Sequence, residues 1–201
     1  MGRIGIFGGT FDPPHLGHLI LAAEVRHQLR LDRLLWVLTP APPHKPDRPI
    51  TPVAHRLAMV QAAIADAPEF ELSTIEIDRP PPHYSSDTVR LLRVRFPEDE
   101  LIYLMGGDSL RDLHTWHEAS VLVAALDGIG VMRRPEDEVD LRGLGARLPG
   151  SIGKVEVVQA PLLEIASSDI RQRVRDGAPY RYYVHPAVYE RIESGGLYRG
   201  G

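Results

Sequence analysis

Two hydrophobic rhythms alternate along this chain. Residues 3–7, RIGIF, form a short apolar run that predicts a buried strand. LGHLILAAEVRHQLR then carries apolar residues at helical spacing, and LLWVLT returns to a strand. TPVAHRLAMVQAAIADA predicts a second helix, with Thr51 as N-cap and Pro52 in the first helical position. FELSTIEID, residues 70–78, predicts a strand, and RPPPHYSS a loop, after which Ser86 or Asp87 is placed to cap a helix running to about Arg95. LIYLM is the continuous apolar run that a parallel sheet buries on both faces. A GGDS loop, a helix in EASVLVAAL, a strand in GIGVM, a Gly-rich charged segment, a strand in VEVVQ and a helix from about Ser168 complete the series. Such regular alternation predicts an α/β fold: a doubly wound parallel sheet with flanking helices, in a single domain over residues 1–201 whose C-terminal helical part begins at about 166.

Composition narrows the function more than the fold. With 201 residues, 43% of them hydrophobic and 25% charged, the chain can bury a sizeable core. A formal net charge of -4 argues against wrapping nucleic acid, which needs a basic face. No apolar run approaches the roughly 18 residues of a membrane span, and the start lacks a signal-peptide pattern, so no membrane partner is expected. The absence of cysteine excludes disulfides, thiolate catalysis and Cys-ligated zinc, and fits a cytoplasmic protein.

In doubly wound sheets ligands sit beyond the carboxyl ends of the strands. The loops expected there follow Phe7, Thr39, Asp78, Met105, Met132 and Gln159, and they hold nearly all the unusual chemistry. GGTFDPPHLGH, Gly8 to His18, is the densest. Gly8 and Gly9 allow backbone N–H groups to approach a ligand closely, and a helix starting near His15 aims its positive end at the same place. Phosphate suits such a site. His15 and His18 share a helix face, and Gly17 between them offers no side chain to obstruct an approach. Taken alone, the His pair is compatible with packing, a metal or phosphate, and Asp12 is the one neighbouring carboxylate that would extend a zinc set. The glycine loop between strand and helix favours phosphate. Neither a Walker P-loop nor G-x-G-x-x-G is present, which disfavours a dehydrogenase.

GGTFDPPHLGH resembles the first signature of the HxGH nucleotidyltransferases, and IASSDIR, Ile165 to Arg171, resembles their second, with Ala166 and Ser168 departing from its hydroxyl pattern. PPHK, SSDT, GGDS with Trp116 downstream, RRP and the ending VYERIESGGLYR resemble the bacterial nicotinate-nucleotide adenylyltransferases in particular. That resemblance spans the chain. It implies a Rossmann-like fold and adenylyl transfer from ATP to nicotinate mononucleotide, giving deamido-NAD and pyrophosphate.

The resemblance also implies roles. His15, His18 and Arg171 are the catalytic candidates. ATP would be held by Gly8, Gly9, Thr10, His15, His18, Lys45, Gly106, Asp108, Arg134, Ser167, Ser168 and Arg171. Ser85, Ser86, Trp116 and His117 would hold the mononucleotide, with Trp116 stacked on its ring. Mg²⁺ would be bound mainly through ATP phosphates, with no protein metal site, and a homo-oligomer is compatible with the family. Nicotinamide mononucleotide or another phosphorylated acceptor is the nearest alternative substrate, and a non-catalytic adenine-nucleotide sensor is the alternative of a different class. His27, His55, His83, His114 and His185 carry no spacing signal and read as exposed or hydrogen-bonded structure.

Overall fold

The computed structural model describes residues 1–41, 50–133, 140–161 and 163–200. β1 (Arg3–Gly9) leads through the glycine-rich loop into α1 (Leu16–Gln28) and then β2 (Arg33–Leu38). α2 (Val53–Ile64), β3 (Phe70–Ser73), α3 (Ser85–Arg95) and β4 (Glu100–Gly106) follow. The second half runs α4 (Gly107–Asp112), α5 (Ala119–Ala125), β5 (Gly128–Arg133), α6 (Leu141–Arg147), β6 (Val155–Gln159), α7 (Ser167–Arg175) and α8 (Pro186–Ser194).

Among the described residues all strand pairs are parallel, in the order β3-β2-β1-β4-β5-β6. The order reverses beside β1, which pairs with β2 on one side and β4 on the other, so a crevice is expected beyond the carboxyl ends of β1 and β4. Alternate side chains feed two cores. Phe7 and Trp36 join Val25, Met59, Ile170 and Val188 on one face, while Ile4, Ile6, Leu35 and Val37 join Leu92, Leu110 and Leu122 on the other. No helix among the described residues is long and apolar enough to cross a membrane.

Several boundaries differ from the sequence reading. Pro52, not Thr51, is the N-cap of α2. α3 begins at Ser85 behind Tyr84, so neither Ser86 nor Asp87 caps it. β3 stops at Ser73 because its edge pairing with β2 ends at Val37, and Thr74 then turns the chain by donating its hydroxyl to Asp78 at 2.7 Å. The GGDS segment is the start of α4 rather than a loop, since the chain enters a helix directly from the last residue of β4. α7 starts at Ser167, one residue before the expected Ser168. Part of the charged Gly-rich segment is helical as well: Asp140 caps α6 by accepting from the Gly143 N–H at 2.9 Å.

Loop geometry at the rim depends on Arg56 of α2, only 1% exposed. Its Nε donates to the Thr51 carbonyl at 2.8 Å, and its Nη1 to the carbonyls of Thr10 at 2.9 Å and Thr39 at 2.8 Å. Nη2 donates to Pro40 at 2.7 Å. One planar fork therefore ties the loop after β1, the loop after β2 and the approach to α2. Arg56→Lys keeps the charge but not the fork, and is expected to cost about 1–3 kcal/mol for each carbonyl left unpaired. Urea denaturation measures the loss; a wild-type midpoint would refute this role.

Candidate active site

A cavity of about 500 Å³ opens at the expected crevice. Of the residues predicted from sequence, Gly8, Gly9, Thr10, His18, Ser85, Trp116, His117, Ser167 and Arg171 line it. Among the described residues Phe11, Asp12, Thr39, Ile50, Glu76, His83, Tyr84, Tyr103 and Ser109 line it as well. Lys45 and Arg134 lie outside the described residues. His15, Ser86, Gly106, Asp108 and Ser168 do not line the cavity. Ser86 is buried in α3, whereas Asp108 is exposed and pairs with Arg111 at 2.6 Å. Ser168 is exposed too, its hydroxyl donating to Asp169 at 3.2 Å.

The histidine pair is built by the start of α1. His15 is the extended N-cap residue, and its backbone N–H donates to Nδ1 of His18 at 3.2 Å. Their rings lie with centroids 3.7 Å apart, and the His18 ring also meets the Phe11 ring edge-on at 5.2 Å. An Nδ1 that accepts carries no proton, so the neutral His18 ring keeps its proton on Nε2. Burial pushes His15 down to about 4, and burial with the neighbouring His15 holds His18 well below the usual histidine range. Both rings are neutral donors at physiological pH.

Two glycine roles change. A Cβ at Gly9 would meet the Phe11 ring at 2.7 Å, and Phe11 itself sits at φ 47. A Cβ at Gly17 would meet Nδ1 of His15 at 3.0 Å. These two glycines therefore make room for neighbouring rings. Among the described residues, a Cβ at Gly8 would meet the Tyr103 hydroxyl at 3.5 Å, and a Cβ at Gly106 would meet nothing within 4 Å.

The second signature docks onto the first. Arg171 Nη1 donates to the Asp12 carbonyl at 2.6 Å, and the Ser167 hydroxyl to the Pro13 carbonyl at 2.8 Å. This places the start of α7 beside the start of α1. The Asp12 carboxylate accepts from the Tyr198 hydroxyl at 2.8 Å and the Thr51 N–H at 3.2 Å. Among the described residues no group of three or more His, Asp or Glu side chains is placed to hold a metal.

The opposite end is aromatic. Tyr84 stacks on His117 with centroids 4.0 Å apart, and Trp116 meets Tyr103 edge-on at 6.0 Å. The Tyr103 hydroxyl and the Ser85 hydroxyl lie 2.9 Å apart, and burial raises Tyr103 to about 12, so the phenol stays protonated. Behind them Glu76 accepts from the Thr88 hydroxyl at 2.7 Å, and burial raises its carboxyl. Arg79 joins the same hydroxyl at 3.0 Å and donates to the Tyr84 carbonyl at 3.0 Å, which fixes the entry to α3. His83 is buried against this wall, neither exposed nor hydrogen-bonded through Nδ1 among the described residues. Periodicity gave no functional signal for Glu76, His83 or Tyr84, which lie in the loop between β3 and α3, nor for Tyr103, which sits in the middle of β4 inside the apolar LIYLM run.

The chain matches the model of the cytidylyltransferase-like family over residues 6–173. It is 50% identical over 199 residues to a Thermomicrobium roseum protein named "Probable nicotinate-nucleotide adenylyltransferase", covering 99% of this chain and 92% of that one. A Roseiflexus castenholzii protein of the same name is 46% identical over 198 residues, covering 98% of both. The solved Plasmodium falciparum nicotinic acid mononucleotide adenylyltransferase complexed with NaAD shares the fold at 20% identity, with TM-score 0.80 over 98% of each chain. Two docked signature segments at a sheet switch point, in a chain that these relatives match almost from end to end, show that it belongs to the cytidylyltransferase-like family and within it to the nicotinate-nucleotide adenylyltransferases.

Proposed function

We propose that the chain joins nicotinate mononucleotide to the adenylyl group of ATP, forming deamido-NAD and releasing pyrophosphate in NAD biosynthesis. The observation that carries the reading is the docking of Arg171 and Ser167 onto the His15–His18 loop at one end of a cavity whose other end is aromatic. A mononucleotide phosphate oxygen attacks the α-phosphorus of ATP. The new oxygen–phosphorus bond forms as the bond to the bridging α,β oxygen breaks, and that oxygen leaves with pyrophosphate.

No catalytic base is needed, because a phosphate monoester with a second pKa of about 6 is already largely dianionic at neutral pH. Catalysis falls to positioning and to donors aimed at developing charge. His18 donates its Nε2–H to the α-phosphate, with His15 beside it. Arg171 and the first turn of α7, with Ser167 and Ser168, take the β and γ phosphates, assisted by Gly8, Gly9 and Thr10 and by Lys45 and Arg134. Gly106 and Asp108 receive adenosine. Trp116 packs the pyridine ring, while N–H groups of Ser85, Ser86 and His117 receive its carboxylate.

Mg²⁺ is expected to arrive with ATP. The donor set fits that arrangement, since Asp12 is committed to Tyr198 and Thr51 and no carboxylate cage is present among the described residues. When bound, the ion neutralises phosphate charge.

Pyrophosphate release with MgATP and nicotinate mononucleotide, nicotinamide mononucleotide or phosphopantetheine tests the reading. Preference for the first is expected; preference for another overturns the substrate, and silence with all three despite ATP binding favours a sensor. His18→Ala is expected to lower turnover about 10²–10³-fold while ATP still binds, and near-normal turnover in this assay would remove His18 from its role.

Neutral burial of the histidines also makes stability depend on pH. His15 drops from 6.5 to about 4 on folding, so between those values the unfolded chain binds more protons. Stability is full above about pH 6.5 and falls as pH drops toward 4, with His15 contributing about 3 kcal/mol across that window. Urea midpoints at pH 7 and pH 5 measure the effect; equal midpoints would contradict it.

A further inference from the structure

Among the described residues that line the cavity, Tyr103 alone brings an aromatic ring from the sheet. It stands in β4 opposite Ile6 of β1 and Ile129 of β5, and its ring belongs to the core with Leu92 and Leu110. Only the far end of the side chain reaches the ligand space. There the hydroxyl lies 2.9 Å from Ser85 Oγ, the ring meets Trp116 edge-on at 6.0 Å, and a Cβ at Gly8 would stand 3.5 Å from the same oxygen. A polar atom carried on a strand so apolar has no packing purpose, and the transfer chemistry does not use it.

The hydroxyl pair has a proton to spare. A phenol and an alcohol carry two protons, and the hydrogen bond between them uses one. Burial and the nearby Glu76 keep the phenol protonated. Tyr103 is 9% exposed, whereas Ser85 is half-buried in the first turn of α3. The reverse order would leave the phenol proton unpaired at the buried member, which costs free energy, so Tyr103 donates to Ser85 and the serine proton turns to the cavity. That O–H stands beside the free N–H groups at the start of α3. A carboxylate accepts from both kinds of donor, in charge-assisted bonds roughly twice as strong as neutral ones. A carboxamide of the same shape makes neutral bonds, and its NH₂ has nothing to give to a donor. Glu76 lines the cavity too, but its Oε1 accepts from the Thr88 hydroxyl at 2.7 Å, where Arg79 also donates at 3.0 Å.

We propose that Tyr103 is a positioning residue for acceptor choice: its phenol fixes the Ser85 hydroxyl as a donor toward the carboxylate on the pyridine ring, and so favours nicotinate over nicotinamide mononucleotide. The proposal rests on the reading of the aromatic end as the mononucleotide site.

Tyr103→Phe removes one oxygen and keeps the ring. Steady-state kcat and KM are measured for ATP and for both mononucleotides, together with the melting temperature. The ratio of kcat/KM, nicotinate over nicotinamide mononucleotide, is expected to fall about 5- to 30-fold through KM for the nicotinate form, with KM for ATP near wild type. A packing role alone would lower the melting temperature or both kcat/KM values together and leave the ratio unchanged. Ser85→Ala should lower the ratio similarly, and adding Tyr103→Phe to it should lower the ratio no further, because the pair acts as one donor. Ser85→Thr keeps the hydroxyl and should keep the ratio. An unchanged ratio in Tyr103→Phe, a raised KM for ATP in its place, or multiplying effects in the double variant would each overturn the proposal. Should Tyr103→Phe fail to fold, equal ratios in Ser85→Ala and Ser85→Thr overturn it instead. A wild-type protein that uses neither mononucleotide, or prefers the nicotinamide form, removes the reading of the aromatic end and the proposal with it. Wild-type preference for the nicotinate form with no change in Tyr103→Phe removes the role of Tyr103 alone.

Discussion

The rim of this protein is held by a buried cation bound to carbonyl oxygens. Arg56 takes four of them, from Thr10, Thr39, Pro40 and Thr51, across loops that the sheet alone would leave to find their own paths. Removing a guanidinium from water is costly unless its donors are satisfied, and here burial itself pushes the group below its ordinary range. The cost is offset by planar geometry that matches several loop carbonyls at once. Without that match, the segment carrying Thr10 and Phe11 would keep only the Asp12–Thr51 bond toward the start of α2.

The same preference for carbonyls recurs at the second signature. Arg171 and Ser167 reach Asp12 and Pro13 through main-chain oxygens, and Arg171 Nη1 also lies at ion-pair distance, 3.9 Å, from the Asp12 carboxylate. Arg171 carries its charge to the cavity wall, and the histidines, neutral because they are buried, offer N–H hydrogen bonds without adding a charge. Such a site suits phosphoryl chemistry in which the nucleophile brings its own charge and the protein supplies orientation.

At the aromatic end, the polar groups stand behind the rings. Glu76, Thr88 and Arg79 hold the turn into α3, and Tyr103 reaches Ser85 from β4. Tyr84, His117 and Trp116 then face the cavity on a fixed support. A ring pocket framed from two loops and the middle of a strand can discriminate small exocyclic groups only if those supports are rigid, because a carboxylate and a carboxamide differ chiefly in the hydrogen bonds they require.

The alternation of apolar runs was enough to read the parallel sheet, since burial on both faces leaves its mark in each strand separately. Both signature segments were legible for a similar reason: GGTFDPPHLGH and IASSDIR are local patterns whose residue types state their chemistry. Helix starts were less so, and Thr51, Ser86 and Asp87 suggested caps that the backbone did not use. Arg56, Glu76, His83 and Tyr198 gave no sign at all. A lone arginine in a helix or a tyrosine near the C-terminus has no local pattern, and its meaning comes from partners such as Thr10 or Asp12 that are distant in sequence. The sequence by itself determined the order of strands and helices and the chemistry of the two signatures. Only the tertiary structure decided which carbonyls and carboxylates those side chains would meet, because contacts across so many residues are set by packing.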